Sequence, residues 1–353
     1  MSVGYVAVQW NRHKRVYDAL LAGGALFYVA LFVAAGRLLY TGRHAISDEI
    51  LVMRALGTCA LLLLHVILCI GPLARLDRRF LPLLYNRRHL GVATFIVALG
   101  HGLLATGYYH GFGVVDPLTS LLTGNTNFGS LSAFPFQLLG LAALLILFLM
   151  AATSHDFWLR NLGARAWKRL HMLVYVAYGL LVMHVALGIL QSHREAWLAA
   201  LVIAGVAIVT ALHLAAGLRE LHRDRRGPRS LRERWVDVGG VDELAESRGC
   251  TVTVGEGERI ALFRHHGCIS ATTNLCAHQG GPLGEGRIID GCITCPWHGW
   301  QYRPADGRSP PPFTERITTY RVRVRGRRIE IDPAPLPPGT PVEPARVEEG
   351  ERG

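Results

Sequence analysis

Six apolar runs, at about 16–36, 50–71, 89–109, 133–153, 170–190 and 196–217, fill the first two thirds of the 353-residue chain. Each is close to the roughly 20 residues that carry an α-helix across a hydrocarbon core of about 30 Å. Inside lipid a backbone must satisfy its own hydrogen bonds, and runs of this length are too long for barrel strands. The expectation is a membrane all-α six-helix bundle over residues 1–217. A hydrophobic content of 50% agrees with this, being too high for two ordinary soluble domains. No small-residue cleavage site follows the first run, which therefore reads as a retained helix.

The arginines give the bundle an orientation. One side receives Arg12, Lys14 and Arg15, then Arg75, Arg78, Arg79, Arg87 and Arg88, then Arg160, Arg165, Lys168 and Arg169, and finally the arginine-rich stretch 219–234. The other side has only Arg37, Arg43 and Arg194. The expected location is a cell inner membrane, crossed several times, with both termini cytoplasmic. The net charge of +11 is accounted for by these topology clusters. No basic strip with interleaved aromatics occurs, so nucleic acid is not an expected partner.

From Trp235 the composition changes. "RGCTVTV", "RIALFRH", "CISATTN" and "YRVRVRGRRIEID" are short β-type runs separated by Gly-rich turns, the pattern of a small all-β domain over 235–333. The basic stretch 218–234 reads as a linker that can lie on membrane lipid headgroups. The Pro- and Glu-rich residues 334–353 read as a mobile tail.

Within the β-domain, Cys276-Ala-His278 is followed, after 16 intervening residues, by Cys295-Pro-Trp-His298. Two loops, each supplying one thiolate and one imidazole, bring four ligands to a compact metal site. Zinc accepts such a set, but its usual spacings pair cysteine with cysteine and histidine with histidine. Mixed pairs suit two unlike irons, with Cys276 and Cys295 on one and His278 and His298 on the other. With "GGPL" and "CPWHGW-Y" around these ligands, 235–333 resembles a Rieske [2Fe–2S] domain. High-potential members carry a disulfide between the cluster loops at the positions of Gly281 and Trp297, and a serine hydroxyl at that of Trp300. The resemblance therefore implies a low potential, towards the lower end of a family span of about −150 to +300 mV. Tyr302 remains as a hydrogen-bond donor. Cys250, Cys268 and Cys292 read as apolar fillers, and the seven cysteines show no disulfide framework.

Ionisable side chains in a spanning helix are functional candidates. The runs contain His65, His101, His171, His184 and His213. Counted from the basic helix ends at 1.5 Å per residue, His101 lies about 18 Å deep and His184 a little over 20 Å. Two imidazoles at one depth are what a six-coordinate b-type haem needs. "NRRHLGVATFIVALGH" and "WKRLHMLVYVAYGLLVMH" resemble the ferric reductase-like transmembrane superfamily. That resemblance implies His101 and His184 as one axial pair and His171 as ligand of an inner haem. Oxidase-like members have a histidine where this chain has Arg87, so a second haem needs another ligand: His65 is the first choice and His89 the second. His213 and His110, near helix ends, read as interfacial, and Tyr108, Tyr109, Trp158, Trp167 and Trp197 as interface anchors.

The two resemblances together imply a transmembrane electron-transfer oxidoreductase. Its cofactors are a [2Fe–2S] cluster and one or two b haems, its donor a cytoplasmic reductase or ferredoxin, and its acceptor a quinone or periplasmic carrier. "GGPLGEG" belongs to the cluster loop rather than to a phosphate turn, so a separate reductase is expected to load the chain. A haem and iron–sulfur sensor or assembly module without turnover is the alternative. An oxygenase component is not expected, because a two-histidine, one-carboxylate iron site needs a sizeable further domain.

Overall fold

The structure, a computed structural model, describes residues 12–42, 45–80, 83–84, 86–154, 166–192, 196–226, 235–255, 257–278, 280–297 and 299–347. Among the described residues seven helices of more than four residues build the first part, α1 (Arg12–Leu39), α2 (Asp48–Leu76), α3 (Arg87–His110), the short α4 (Pro117–Thr123), α5 (Phe136–Ala152), α6 (Val174–Leu187) and α7 (Ala196–Arg226), with a single helical turn at Ile189–Ser192 between the last two. Five spans are long and apolar enough to cross a membrane: Lys14–Leu39, Asp48–Leu76, Arg87–His110, Ala166–Leu187 and Ala196–His222. The sixth apolar helix, α5, has 17 residues, the short end of the spanning range. The six runs thus appear as six helices. The chain is a multi-pass membrane protein.

Helix α2 is the hub. Ser47 caps it by accepting from the Ile50 N–H, and Asp48 and Glu49 sit in its first turn, where the helix dipole favours negative charge. It is apolar all round and buried along much of its length, and it packs against α1, α3 and α7. Outward-facing Leu20, Phe27, Ile96, Leu103, Leu145 and Ile203 are each more than half exposed. Such a belt is stable against acyl chains and not against water.

Among the described residues eleven short strands form the β-domain: β1 (Val236–Gly240), β2 (Gly249–Val254), β3 (Glu258–His265), β4 (Cys268–Thr273), β5 (Arg287–Ile289), β6 (Cys292–Thr294), β7 (Gln301–Tyr302), β8 (Thr319–Tyr320), β9 (Val322–Arg325), β10 (Arg328–Ile331) and β11 (Ala345–Arg346). They make three antiparallel sheets, β1-β10-β9, β11-β4-β3-β2 with β8 joining β4, and β5-β6-β7. The β5–β6 hairpin turns at Asp290-Gly291, both at positive φ, as a tight Asp-Gly turn requires. Strand β3 divides the interior by its two-residue period. Ile260 and Leu262 enter one core with Val254 and Ile269, while Ala261 and Phe263 enter a second with Cys276, Cys295 and Tyr302.

Two expectations are corrected. Helix α7 runs to Arg226, so the first half of the expected 218–234 linker is helical; residues 227–234 lie outside the described ones. Residues 334–347, expected to be mobile, lie along the β-domain instead. Leu336 N–H donates to Thr319 O, Val342 N–H to Ala305 O, and β11 pairs with β4. Composition does not reveal this, because the segment needs no core of its own, only a free sheet edge to pair with. Residues 348–353 lie outside the described residues.

Candidate functional site

The two Cys-His loops share one construction. The β4–β5 loop closes with Gly280 N–H donating to Cys276 O (2.7 Å), and the β6–β7 loop with Gly299 N–H donating to Cys295 O (2.9 Å). Each is a five-residue turn that begins at a cysteine and ends at a glycine with φ near +70° (69° and 70°). A side chain there would be strained, so these glycines follow from the turn itself. Cys276 N–H donates to Gly281 O (2.9 Å), and a Cβ on Gly281 would lie 2.7 Å from Cys295 Sγ and 3.2 Å from the Trp297 ring. The loops therefore meet at Gly281 with no room for a side chain. All seven cysteines are free thiols.

Cys276 and Cys295 are each 1% exposed and His278 6%. His278 stacks on Trp300, with ring centroids 3.9 Å apart and planes 8° apart, and Trp300 Nε1–H donates to Ser309 Oγ. The indole, held by that bond, fixes the imidazole plane. His298 lies outside the described residues. Among the described residues no three histidine, cysteine or acidic side chains converge on one ion. A ligand set divided between two irons, two ligands each, has no need of such a convergence.

Tyr302 sits behind the loops. Its hydroxyl lies 3.3 Å from Cys276 Sγ and accepts the His278 N–H at 3.2 Å. Burial, and then the neighbouring Cys276 and Cys295 thiols, push its pKa well above the ordinary phenol value, so it stays protonated and can donate to sulfur. Such a donor stabilises the more negative, reduced form of a cluster. Tyr302→Phe is expected to lower the cluster potential on the order of 50 mV, the one-electron equivalent of a hydrogen bond about 1 kcal/mol stronger to the reduced form than to the oxidised one. Film voltammetry measures it, and an unchanged potential would show that the hydroxyl does not donate to sulfur.

In the bundle, His101 of α3 and His184 of α6 face each other, with ring centroids 6.4 Å apart and planes at 83°. His101 Nδ1–H donates to Met53 O (2.9 Å) and His184 Nδ1–H to Phe136 O (2.8 Å). A carbonyl only accepts, so each Nδ1 carries the proton and each Nε2 is left with a free lone pair. Two metal–imidazole bonds of about 2 Å, with ring centres roughly 1 Å behind each nitrogen, would span a little over 6 Å, so the ring separation is compatible with one iron held between them. Each ring also rests on a glycine of a neighbouring helix. A Cβ on Gly57 would come 3.0 Å from His101, and one on Gly140 2.8 Å from His184. Sequence reading passed over both glycines, although an isolated glycine in a helix of large residues marks a close approach.

His171 lies on the same span as His184. Thirteen residues of regular helix leave two side chains about 140° apart. The helix is tightened between them by bonds of the three-residue type, Leu173 N–H to Leu170 O and Tyr175 N–H to Met172 O, which turn it further and reduce the mismatch. His171 Nδ1–H donates to Trp167 O (3.0 Å), its ring stacks on Trp167, and its buried Nε2 has no hydrogen-bond partner. It lines a cavity of about 1570 Å³ between the arginine-rich end of the bundle and the β-domain, with Arg87, Arg88, Tyr175, His213 and Trp297.

Neither choice for the partner of His171 is brought to it. His65 donates from Nδ1 to Leu61 O, and its Nε2 points at α7, where a Cβ on Gly205 would come within 2.1 Å. The glycine leaves a notch that the imidazole fills, so the ring is buried away from the cavity. His89 Nδ1 is bound to the Asp18 carboxylate at 2.8 Å. His213, expected at an interface, instead lines the cavity, its Nε2 accepting from the Tyr175 hydroxyl at 3.0 Å.

A bundle with two inward imidazoles at one level, joined at its basic end to a β-domain with paired Cys-His loops, is the layout of a membrane electron-transfer protein. The chain belongs to the ferric reductase like transmembrane component family over residues 56–182 and to the Rieske [2Fe-2S] domain family over residues 234–321. It is 37% identical over 101 residues to the ferredoxin component of the naphthalene 1,2-dioxygenase system of Pseudomonas aeruginosa, covering 28% of this chain and 96% of that one. It is 30% identical over 188 residues to the protein-methionine-sulfoxide reductase heme-binding subunit MsrQ of Caulobacter vibrioides, covering 52% of this chain and 83% of that one. Among solved structures, the ferredoxin of carbazole 1,9a-dioxygenase from Nocardioides aromaticivorans IC177 is similar at a TM-score of 0.27 and 24% identity, covering 29% of this chain and all of that one. The memberships imply a [2Fe–2S] cluster in the β-domain and b-type haem in the bundle.

Proposed function

We propose that the chain carries electrons across a cell inner membrane, from a cytoplasmic reductase or ferredoxin-type donor to a quinone or periplasmic acceptor. The observation that carries this reading is the His101–His184 pair, 6.4 Å between ring centres, in a bundle whose arginine-rich end opens on the Cys-His loops. When bound, a [2Fe–2S] cluster and b haem supply one-electron exchange. Cys276, Cys295, His278 and His298 would hold the cluster, His101 and His184 a haem, and His171 an inner haem at the cavity. The backbone carbonyls of Met53, Phe136 and Trp167 hold three of these imidazoles in the metal-binding tautomer. Burial of the loops keeps water from the cluster thiolates. The basic clusters support a cytoplasmic side for the β-domain and both termini. The relatives' names support the reading from both ends, one the ferredoxin component of a dioxygenase system and the other the haem-binding subunit of a reductase.

Redox-titrated optical and EPR spectra of the purified full-length protein test it. Low-spin b-haem bands and a low-average-g cluster signal are expected together, the cluster equilibrating with haem within one turnover of an added reductant. Material that is colourless after expression with iron and haem supplied overturns the reading. Bound centres that do not exchange electrons identify a sensor or assembly module instead.

A further inference from the structure

The indole of Trp297, between Cys295 and His298 in sequence, touches two cores at once. It packs against the second core of the β-domain, which contains both cluster cysteines, and against a bundle core of Ile67, Ile70, Ala74, Leu84 and Leu90. Next to it the other loop approaches the His171 span: a Cβ on Gly280 would lie 3.9 Å from Lys168 Nζ. At a further point of the same face, Arg259 Nη1 at the start of β3 pairs with Glu220 Oε2 of α7 at 2.6 Å, with side chains 34% and 19% exposed. One apolar plug and one directional ion pair fix both the position and the rotation of a small domain. On one chain, a contact this small suffices, because the bundle is always present at high effective concentration.

We propose that Trp297 and the Arg259–Glu220 pair form a built docking site, which seats the Cys-His loops over the mouth of the His171 cavity. The β-domain's partner surface is thus its own membrane bundle. The inference rests on the proposed function for its purpose, but the docking itself is readable without any cofactor.

Hydroxyl-radical footprinting of Trp297 in the full-length protein in nanodiscs is the test. The wild-type indole is expected to be protected. Arg259→Glu or Glu220→Arg alone places like charges together and is expected to raise Trp297 oxidation about tenfold, and the double reversal Arg259→Glu/Glu220→Arg to restore protection to within about twofold. In cofactor-loaded samples, enhancement of cluster spin relaxation by ferric haem should fall and recover in the same order. Equal protection in all four proteins, or no recovery in the double variant, overturns the docking site. Normal footprints in protein that binds neither haem nor cluster would sink the proposed function and leave the docking standing.

Discussion

His101→Ala and His184→Ala are each expected to abolish the same low-spin haem signal, and to leave any inner haem and the cluster in place. In the proposed pairing each imidazole would supply one of two ligands to the same iron, so removing one would leave a single protein ligand and a different spin state. Because both rings are held through Nδ1 by carbonyls of other helices, Met53 O and Phe136 O, the remaining histidine stays oriented. His171→Ala is expected to spare this signal. Gly140→Ala gives the same answer by a route that does not touch a ligand. In a helix interior, alanine is favoured over glycine by about 1 kcal/mol, which offsets part of the cost of the new contact, so the variant is expected to fold. Its Cβ would stand 2.8 Å from the His184 ring, turning the imidazole and shifting or losing the same band. Optical difference spectra of the set read this directly. If the two histidine variants remove different signals, the pairing is wrong.

The bundle and the β-domain were legible because each obeys a strong periodic or spacing rule. Apolar runs of spanning length have few alternatives, and Cys-x-His repeated with a two-residue gap the second time has fewer. The His101–His184 pairing was legible for a related reason: depth along a spanning helix is fixed by rise per residue and by basic end markers. Rotation about a helix axis was not. His65 lies in a spanning run and His213 near the end of one, yet α2 turns the first into the notch at Gly205 and α7 turns the second into the cavity. That choice depends on which neighbours each helix packs against. Composition is blind to it, as it is to an unpaired edge of β4 waiting for Ala345 and Arg346.

Cys276→Ser is expected to remove the whole cluster signal and to loosen one half of the β-domain while the other half holds. Metal binding to such loops is part of their folding energy, because no preformed site exists in the unfolded chain. Cys276 is a member of the second core, with Cys295, Leu283 and Tyr302, on the Ala261/Phe263 face of β3. Without the metal that core keeps a buried polar serine and a phenol whose nearest sulfur is gone, a loss of several kcal/mol in kind. The opposite face, Ile260 and Leu262 with Val254 and Ile269, shares no metal ligand and has its own contacts. Hydrogen exchange should therefore rise at 274–283 and 295–300 and stay slow in β2, β3 and β4. The haem bands should be unchanged, since no bundle ligand is touched. Two outcomes would count against this account: exchange rising evenly through the β-domain would mean that β3 does not separate two cores, and a retained cluster signal would mean that Cys276 is not a ligand.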